Sequence, residues 1–360
     1  MISFVKRLAA LAFLLAAWTS PASAQQILQI DEAAVWQHPH NGIVFPTTLG
    51  GLPRARVVQF APDYLNLGFS YREEGAKEEL SVYVYRNTNG GVPVWFEQAR
   101  TGVEIRDIYA NPQLAFGTEQ YAWPGAEGWQ GLRGVYSTPD SNYSTSTAVA
   151  LFSVKGWFVK MRATSDEKTA AELAQFMDAA FAELTPPTAE FDQPSIVPVI
   201  ACEDKLAFKK KAKDAKTDGA SNIMGALMGV PIPEAADEQN ERAEPVAAAV
   251  WCRDASLSPV QVAYRKDAST DSYLLALGDS GIGVSVAPDA SLLLLKDNPK
   301  KKDQAFAIAV ITESERINFV PQNRLPSLER VMEIINSTRQ ISSVSTWGDD
   351  HTITINPDAM

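Results

Sequence analysis

ALFSVKGWFVKMRATSDEKTAAELAQFMDAAFAEL, residues 150–184, decides the fold. Ala148–Val154 and Trp157–Ala163 are runs of β-branched and aromatic residues around Lys155-Gly156, which predicts a hairpin. In the second strand Trp157, Val159 and Met161 share one face, while Phe158, Lys160 and Arg162 share the other, because strand side chains alternate. The period then changes. From Asp166 to Leu184 the apolar residues Leu173, Phe176, Met177, Ala180, Phe181 and Leu184 recur at helical spacing. Thr164-x-x-Glu167 reads as a capping box, and Pro186-Pro187 ends the helix. A hairpin followed by a one-faced helix implies an antiparallel sheet covered on one side.

Upstream, Leu65, Leu67, Phe69 and Tyr71 alternate with polar or small residues, and Ser81–Tyr85 (SVYVY) is a further strand. Asn89-Gly90-Gly91 turns the chain. Pro93–Ile108 reads as a helix with Phe96, Ala99 and Val103 on one side. Leu114–Trp123 and Trp129–Thr138 complete the strands. This order, from LNLGFSYR and LSVYVYR through a helix and meandering strands to the closing hairpin and helix, resembles the PsbP-like α/β/α fold. That is the class of the photosystem II extrinsic proteins, and the likeness spans about 150 residues. The resemblance implies a largely non-enzymatic protein.

Downstream, Thr185-Pro186-Pro187-Thr188 with Pro194 and Pro198 marks a boundary. The following part holds strand-like runs at Val260–Tyr264, Tyr273–Leu277, Gly283–Ala287, Leu292–Leu295, Phe306–Thr312, Ile317–Val320 and Thr352–Ile355. One helix, Leu328–Asn336, presents Leu328, Val331, Met332 and Ile335. Residues 218–245, rich in Gly, Ala, Met, Pro and Glu, read as a long mobile insertion. The expected fold class is α+β, with two domains that are each an antiparallel sheet packed by one or two helices. The expected divisions are 1–24, 25–186, a Pro-rich linker at 187–200, and 201–360.

The first 24 residues read as a cleavable export signal. Lys6 and Arg7 precede the apolar stretch Leu8–Trp18, and Ala22-Ser23-Ala24 is a small-x-small cleavage site. The apolar run is shorter than the ~20 residues a spanning helix needs. Gln25 rather than Cys follows the cut, so no lipid anchor is indicated, and the Ala-rich leader looks bacterial. The reading is a periplasmic or secreted protein. The whole sequence carries a formal charge of −11, and losing Lys6 and Arg7 makes the remainder more acidic. That balance disfavours nucleic acid as a partner. Cys202 and Cys252 are the two cysteines, and an even count in an oxidising compartment predicts one disulfide at the base of the insertion.

Several residues invite chemistry. Gly278-Asp279-Ser280-Gly281 surrounds the nucleophile in trypsin-like proteases, and Gly-Asp-Ser opens the first block of GDS-type esterases. A hydrolase would need Ser280 to work with His351 and Asp349 or Asp350. The sequence departs from both patterns: no His sits in a protease-like setting, and Gly348 stands where the esterase Asp belongs. Ile282 breaks the Gly-x-Ser-x-Gly elbow. Between two strand runs the tetrapeptide reads as a tight hairpin turn. His38 and His40, with Asp31 or Glu32, are metal-ligand candidates, but Pro39 and the lack of further nearby ligands favour an exposed N-terminal extension with Trp36 packed on the body. Lys205, Lys209, Lys210, Lys211, Lys213 and Lys216 form a basic stretch, read either as a solvated helix face or as a contact for anionic lipid or an acidic partner. Met224, Leu227 and Met228 lie in an apolar strip suited to docking. Trp95, Trp123, Trp129, Trp157, Tyr83, Tyr85, Tyr121 and Tyr136 are core residues or the lining of a ligand cleft between helix and sheet. No cofactor signature is present. The leading functional expectation is a non-enzymatic protein that binds an envelope protein or cell-surface component. The alternatives are small-molecule binding in the aromatic cleft and a hydrolase at Ser280.

Overall fold

The computed structural model describes residues 25–126, 130–184, 196–208, 210–216, 224–225, 249–289, 291, 304–337 and 339–357. The expected signal segment, residues 187–195 of the expected linker, most of the insertion and the run Leu292–Leu295 lie outside them.

The first half contributes β1 (Gln26–Ile27), β2 (Trp36–Gln37), β3 (Val44–Phe45), β4 (Thr48–Leu49), β5 (Leu52–Ala61), β6 (Asn66–Tyr71), β7 (Glu79–Arg86), α1 (Val92–Glu104), β8 (Gln113–Tyr121), β9 (Gly131–Ser137), β10 (Ser146–Val154), β11 (Trp157–Ser165) and α2 (Ala170–Glu183). The second half contributes β12 (Ile200–Ala201), β13 (Trp251–Ser258), β14 (Gln261–Lys266), β15 (Tyr273–Leu277), β16 (Gly283–Pro288), β17 (Phe306–Ile311), β18 (Glu315–Gln322), α3 (Leu328–Ile335), β19 (Gln340–Ser345) and β20 (Ile353–Ile355). Antiparallel sheets with helices packed on them make the chain α+β in the broad sense.

The first sheet runs β1-β5-β6-β7-β11-β10-β9-β8, with β4 beside β5. Its centre is the β7–β11 pairing, where the chain returns after α1 and the β8–β10 meander. Lys160 lies opposite Tyr83, and Arg162 opposite Ser81. The second sheet runs from β12 to β20 in chain order, the simplest topology short turns produce. Each of its pairings is antiparallel except β12 with β13.

The faces alternate as the 150–184 stretch predicts. Trp157, Val159, Met161 and Ala163 join Leu67, Phe69, Val82 and Val84 in a core closed by α2 through Leu173, Met177, Ala180 and Phe181. Each large side chain buried there contributes about 1.5–3 kcal/mol. The opposite face of the sheet carries Phe158, Leu132 and Val149. They pack with α1 residues Val94, Trp95, Phe96 and Val103 and with Val262, Tyr264, Leu274 and Ala276 of the second sheet. Helix α1 is therefore buried nearly all round, as a helix between two sheets must be. A third core lies on the far face of the second sheet, where α3 seats Leu328, Val331 and Ile334 against Leu275, Val284 and Ile308.

Several expectations are corrected. The capping box of α2 is Thr169 with Glu172, not Thr164 with Glu167. Thr164 is still in β11, paired with Glu79, and its hydroxyl bonds Tyr109 and Thr147. Helix α1 stops at Glu104, and a 3-10 turn, Asp107–Tyr109, takes up the rest. The segment around His38 is exposed at Val35, Gln37 and His40 with Trp36 packed on the core, as expected, but His38 itself is buried, as are Ile43 and Phe45 that follow. The described end of the expected linker, residues 196–200, docks on the sheets, with Ile196 in the shared core and Ile200 paired in β12.

Candidate functional site

A cleft of about 650 Å³ opens between the exposed part of the first sheet and two hairpin turns of the second. Phe60, Asn66, Tyr83, Tyr85, Lys160 and Arg162 line it from β5, β6, β7 and β11. The β15–β16 turn supplies Asp279 and Ser280, and the β17–β18 turn supplies Thr312, Glu313 and Ser314. Arg106, just beyond α1, completes the lining. The residues arrive there by simple register. Phe158, Lys160 and Arg162 are alternate residues of one strand, so the face that carries Phe158 into the shared core carries both cations into the cleft.

Asp279 ties the two sheets together. Lys160 Nζ donates to its Oδ2 at 2.9 Å and to its carbonyl at 2.8 Å, and Arg162 Nη2 donates to Oδ2 at 2.7 Å. The hydroxyl of Tyr85 donates to the same carbonyl at 3.3 Å. Lys160 is only 4% exposed, and its ammonium lies 5.0 Å from the Tyr83 ring centroid and 5.4 Å from that of Tyr85, which adds cation–π attraction. Burial pulls the Lys160 ammonium down to about 8, although Asp279 opposes this. Burial alone would raise the Asp279 carboxyl, but Lys160 and Arg162 hold it well below the usual carboxylate range. Gly102 of α1 makes room for the pair: a Cβ there would lie 3.2 Å from Arg162 Nη2. Gly281 has φ +87°, and a Cβ there would meet the Tyr85 ring at 3.1 Å. One donor in this cluster is unused. Arg162 Nε is buried without a hydrogen-bond partner.

At the β17–β18 turn, Glu313 accepts from Asn66 Nδ2 at 2.6 Å, and Arg86 Nη1 donates to the Glu313 carbonyl at 2.5 Å. The Arg86 guanidinium lies over the Trp347 ring, 4.8 Å from its centroid.

The structure separates the hydrolase candidates. Ser280 lines the cleft within the turn joining β15 to β16. His351 lies by the turn joining β19 to β20, with Nδ1 3.0 Å from the Ser345 carbonyl. Asp349 and Asp350 sit in that same turn. Among the described residues no hydrogen bond joins Ser280 to any of the three. Within the tetrapeptide, Asp279 makes the contacts that join the two sheets.

His38 and His40 lie side by side, their Nε2 atoms against the carbonyls of Tyr64 and Asp63, and among the described residues no group of three or more metal-ligating side chains forms. The Nε2 of His38 lies 3.1 Å from the Tyr64 carbonyl, and its Nδ1 accepts from the backbone of His40 at 3.2 Å. His38 is therefore neutral with its proton on Nε2. Burial lowers it to about 4, with the Tyr64 carbonyl partly opposing. His40 Nε2 lies 2.9 Å from the Asp63 carbonyl, and the ring stacks on Trp157 and meets the edge of Trp347.

Cys202 and Cys252 form the expected disulfide, with a Cα–Cα distance of 4.8 Å. Beside it Arg265 donates to Asp254 at 2.9 Å, both deeply buried. The described lysine stretch is not helical. Leu206 and Ala212 are buried and Lys210 and Lys211 exposed, in an irregular segment bridged at Asp214 to Gln322. Lys205 donates to the Asp254 carbonyl. Met224 is half-buried, while Lys209, Leu227, Met228 and Trp129 lie outside the described residues. The aromatic residues divide between layers: Tyr121, Trp123 and Trp157 in the α2 core, Trp95, Tyr85 and Tyr136 in the α1 core. Of those named, Tyr83 and Tyr85 reach the cleft, which lies between two sheets and not between helix and sheet.

Lys160, Arg162, Arg106, Asp279 and Asn66 were not singled out as site residues in the sequence. The available signal was two cations at alternate positions on an otherwise apolar strand. No protein-family model, curated protein or solved structure matches the chain. No described helix is long and apolar enough to cross a membrane.

Proposed function

We propose that this chain is an exported binding protein of the bacterial envelope, and that it holds a small molecule in the cleft between its two sheets. One observation carries the reading: a cleft of about 650 Å³ has an ammonium, a guanidinium and a carboxylate converging on its wall, beside the rings of Tyr83 and Phe60. Small-molecule sites combine that volume, apolar walls and a few fixed polar groups. The export-signal pattern at residues 1–24 and the Cys202–Cys252 bond support a location outside the cytoplasm. The PsbP-like resemblance of the first half supports binding over turnover, as analogy of fold alone.

The test is a thermal-shift screen of the oxidised chain starting at Gln25, run beside Ser280→Phe, which adds a ring to the cleft wall at the β15–β16 turn. A ligand at 100 times its dissociation constant adds about 2.7 kcal/mol, a shift of several degrees. The expected result is a hit that the Ser280→Phe variant loses while its unliganded melting temperature holds. Hits unchanged by this added bulk would move the site away from the β15–β16 turn.

A further inference from the structure

Charge in the cleft is unevenly distributed. At the β15–β16 turn three cations, Arg106, Lys160 and Arg162, face one carboxylate, Asp279. At the β17–β18 turn Glu313 and Glu315 line the wall, with Arg86 close enough to Glu313 to donate to its carbonyl. The two hairpin turns lie at the same end of one meander, two strand spacings apart, or roughly 10 Å. One end of the cleft is thus electropositive, and the other acidic. The apolar lining of the same cleft is Phe60 and Tyr83, whose ring centroids are 6.4 Å apart, with Pro62 and Ile282.

The electropositive end already holds an acceptor, and that acceptor belongs to the chain. Asp279 reaches Lys160 and Arg162 from a turn with positive φ at Gly278 and Gly281. It leaves Arg162 Nε buried and unpartnered. Arg106, Lys160 and Arg162 all line the cleft beside this single carboxylate, so an anionic group entering there is an alternative acceptor for their donors.

We infer that the cleft binds a ligand with one compact anionic group, a carboxylate or a phosphate, on a ring-bearing apolar body. The anion sits against Arg162, Lys160 and Arg106 and competes with the Asp279 carboxylate for them, while the apolar body lies along Phe60 and Tyr83. Glu313 and Glu315 disfavour a second anionic group at the far end. This rests on the cleft being the ligand site.

The test is calorimetric titration of the oxidised chain starting at Gln25 with 2-naphthoate, 2-naphthyl phosphate and neutral 2-naphthalenemethanol at constant ionic strength. At least one anion should bind about tenfold or more tightly than the alcohol, the factor expected for one charge-assisted hydrogen bond. The tighter of the two anions identifies the head group. Arg162→Gln should remove that preference and leave the alcohol within about twofold, which also shows that the variant is folded. Asp279→Asn removes the resident competitor and should tighten the anion several-fold without affecting the alcohol. Equal binding of all three probes to the unaltered chain would overturn the inference, as would weaker anion binding in Asp279→Asn. Absence of binding by either anion, beside a cleft-dependent hit in the thermal screen, would overturn the anionic class alone. Binding unaffected by Ser280→Phe would place the ligand away from the β15–β16 turn and so overturn the inference.

Discussion

Replacing Asp279 by alanine takes a carboxylate from between two cations, and most of the cost falls on Lys160. That ammonium is 4% exposed. It keeps the residue 279 carbonyl and the faces of Tyr83 and Tyr85, but two charge-assisted bonds, at 2.9 and 2.7 Å, are deleted. Removing one partner of a fully buried ion pair costs about 3–5 kcal/mol. The Asp279 side chain is 31% exposed, and Lys160 retains its other neighbours, so the expected loss is about 2–3 kcal/mol. Lys160→Met removes the buried charge itself and leaves Asp279 with Arg162, so its cost should be smaller, about 1 kcal/mol. The double variant no longer has an orphaned ammonium and should be more stable than Asp279→Ala alone. The assay is urea unfolding of the oxidised chain at pH 7, followed by tryptophan fluorescence. A coupling energy of at least ~1 kcal/mol is expected from the double-mutant cycle. Additivity within about 0.5 kcal/mol would refute the reasoning, because it would mean that the two groups do not depend on each other.

Other consequences follow from the same geometry. His38 is buried neutral with its pKa lowered to about 4, so the unfolded chain binds the extra proton first, and stability falls as pH drops from 6.5 towards 4. The stability difference between the unaltered chain and His38→Gln should shift by about 3 kcal/mol over that range, whereas parallel unfolding curves would contradict it. Opening the Cys202–Cys252 bond, which spans 50 residues, should cost about 4 kcal/mol in the chain-entropy picture, measured as the urea midpoint of the Cys202→Ala/Cys252→Ala variant. Thr169→Ala should cost about 1 kcal/mol by removing the α2 cap, and Thr164→Ala should leave that helix's amide-exchange protection unchanged.

The readable parts of the sequence were those where one physical signal dominates. In β11 the alternation of Trp157, Val159 and Met161 against Phe158, Lys160 and Arg162 assigned both faces, because a strand's period is fixed. The run Tyr273–Leu277 gave β15 with its bounds intact. β5 was missed because bulges between Arg54 and Arg56 and between Gln59 and Ala61 break its alternation. β13 was missed for the same reason, with register shifts around Ser256. The two sides of α1 could not be seen, since burial against a second sheet leaves no polar face to mark an amphipathic period. Asp279 was visible only as a turn residue. Its ion pairs join positions 119 and 117 residues apart, and no local pattern encodes so distant a partner.

The most direct test of the central claim is a crystal structure of the oxidised chain with the strongest ligand from the thermal screen. The account predicts that ligand between the two sheets, in contact with Tyr83 and Arg162 and beside the Gly278–Gly281 turn. A ligand bound on any other surface, with the Lys160–Asp279–Arg162 cluster untouched, would contradict it.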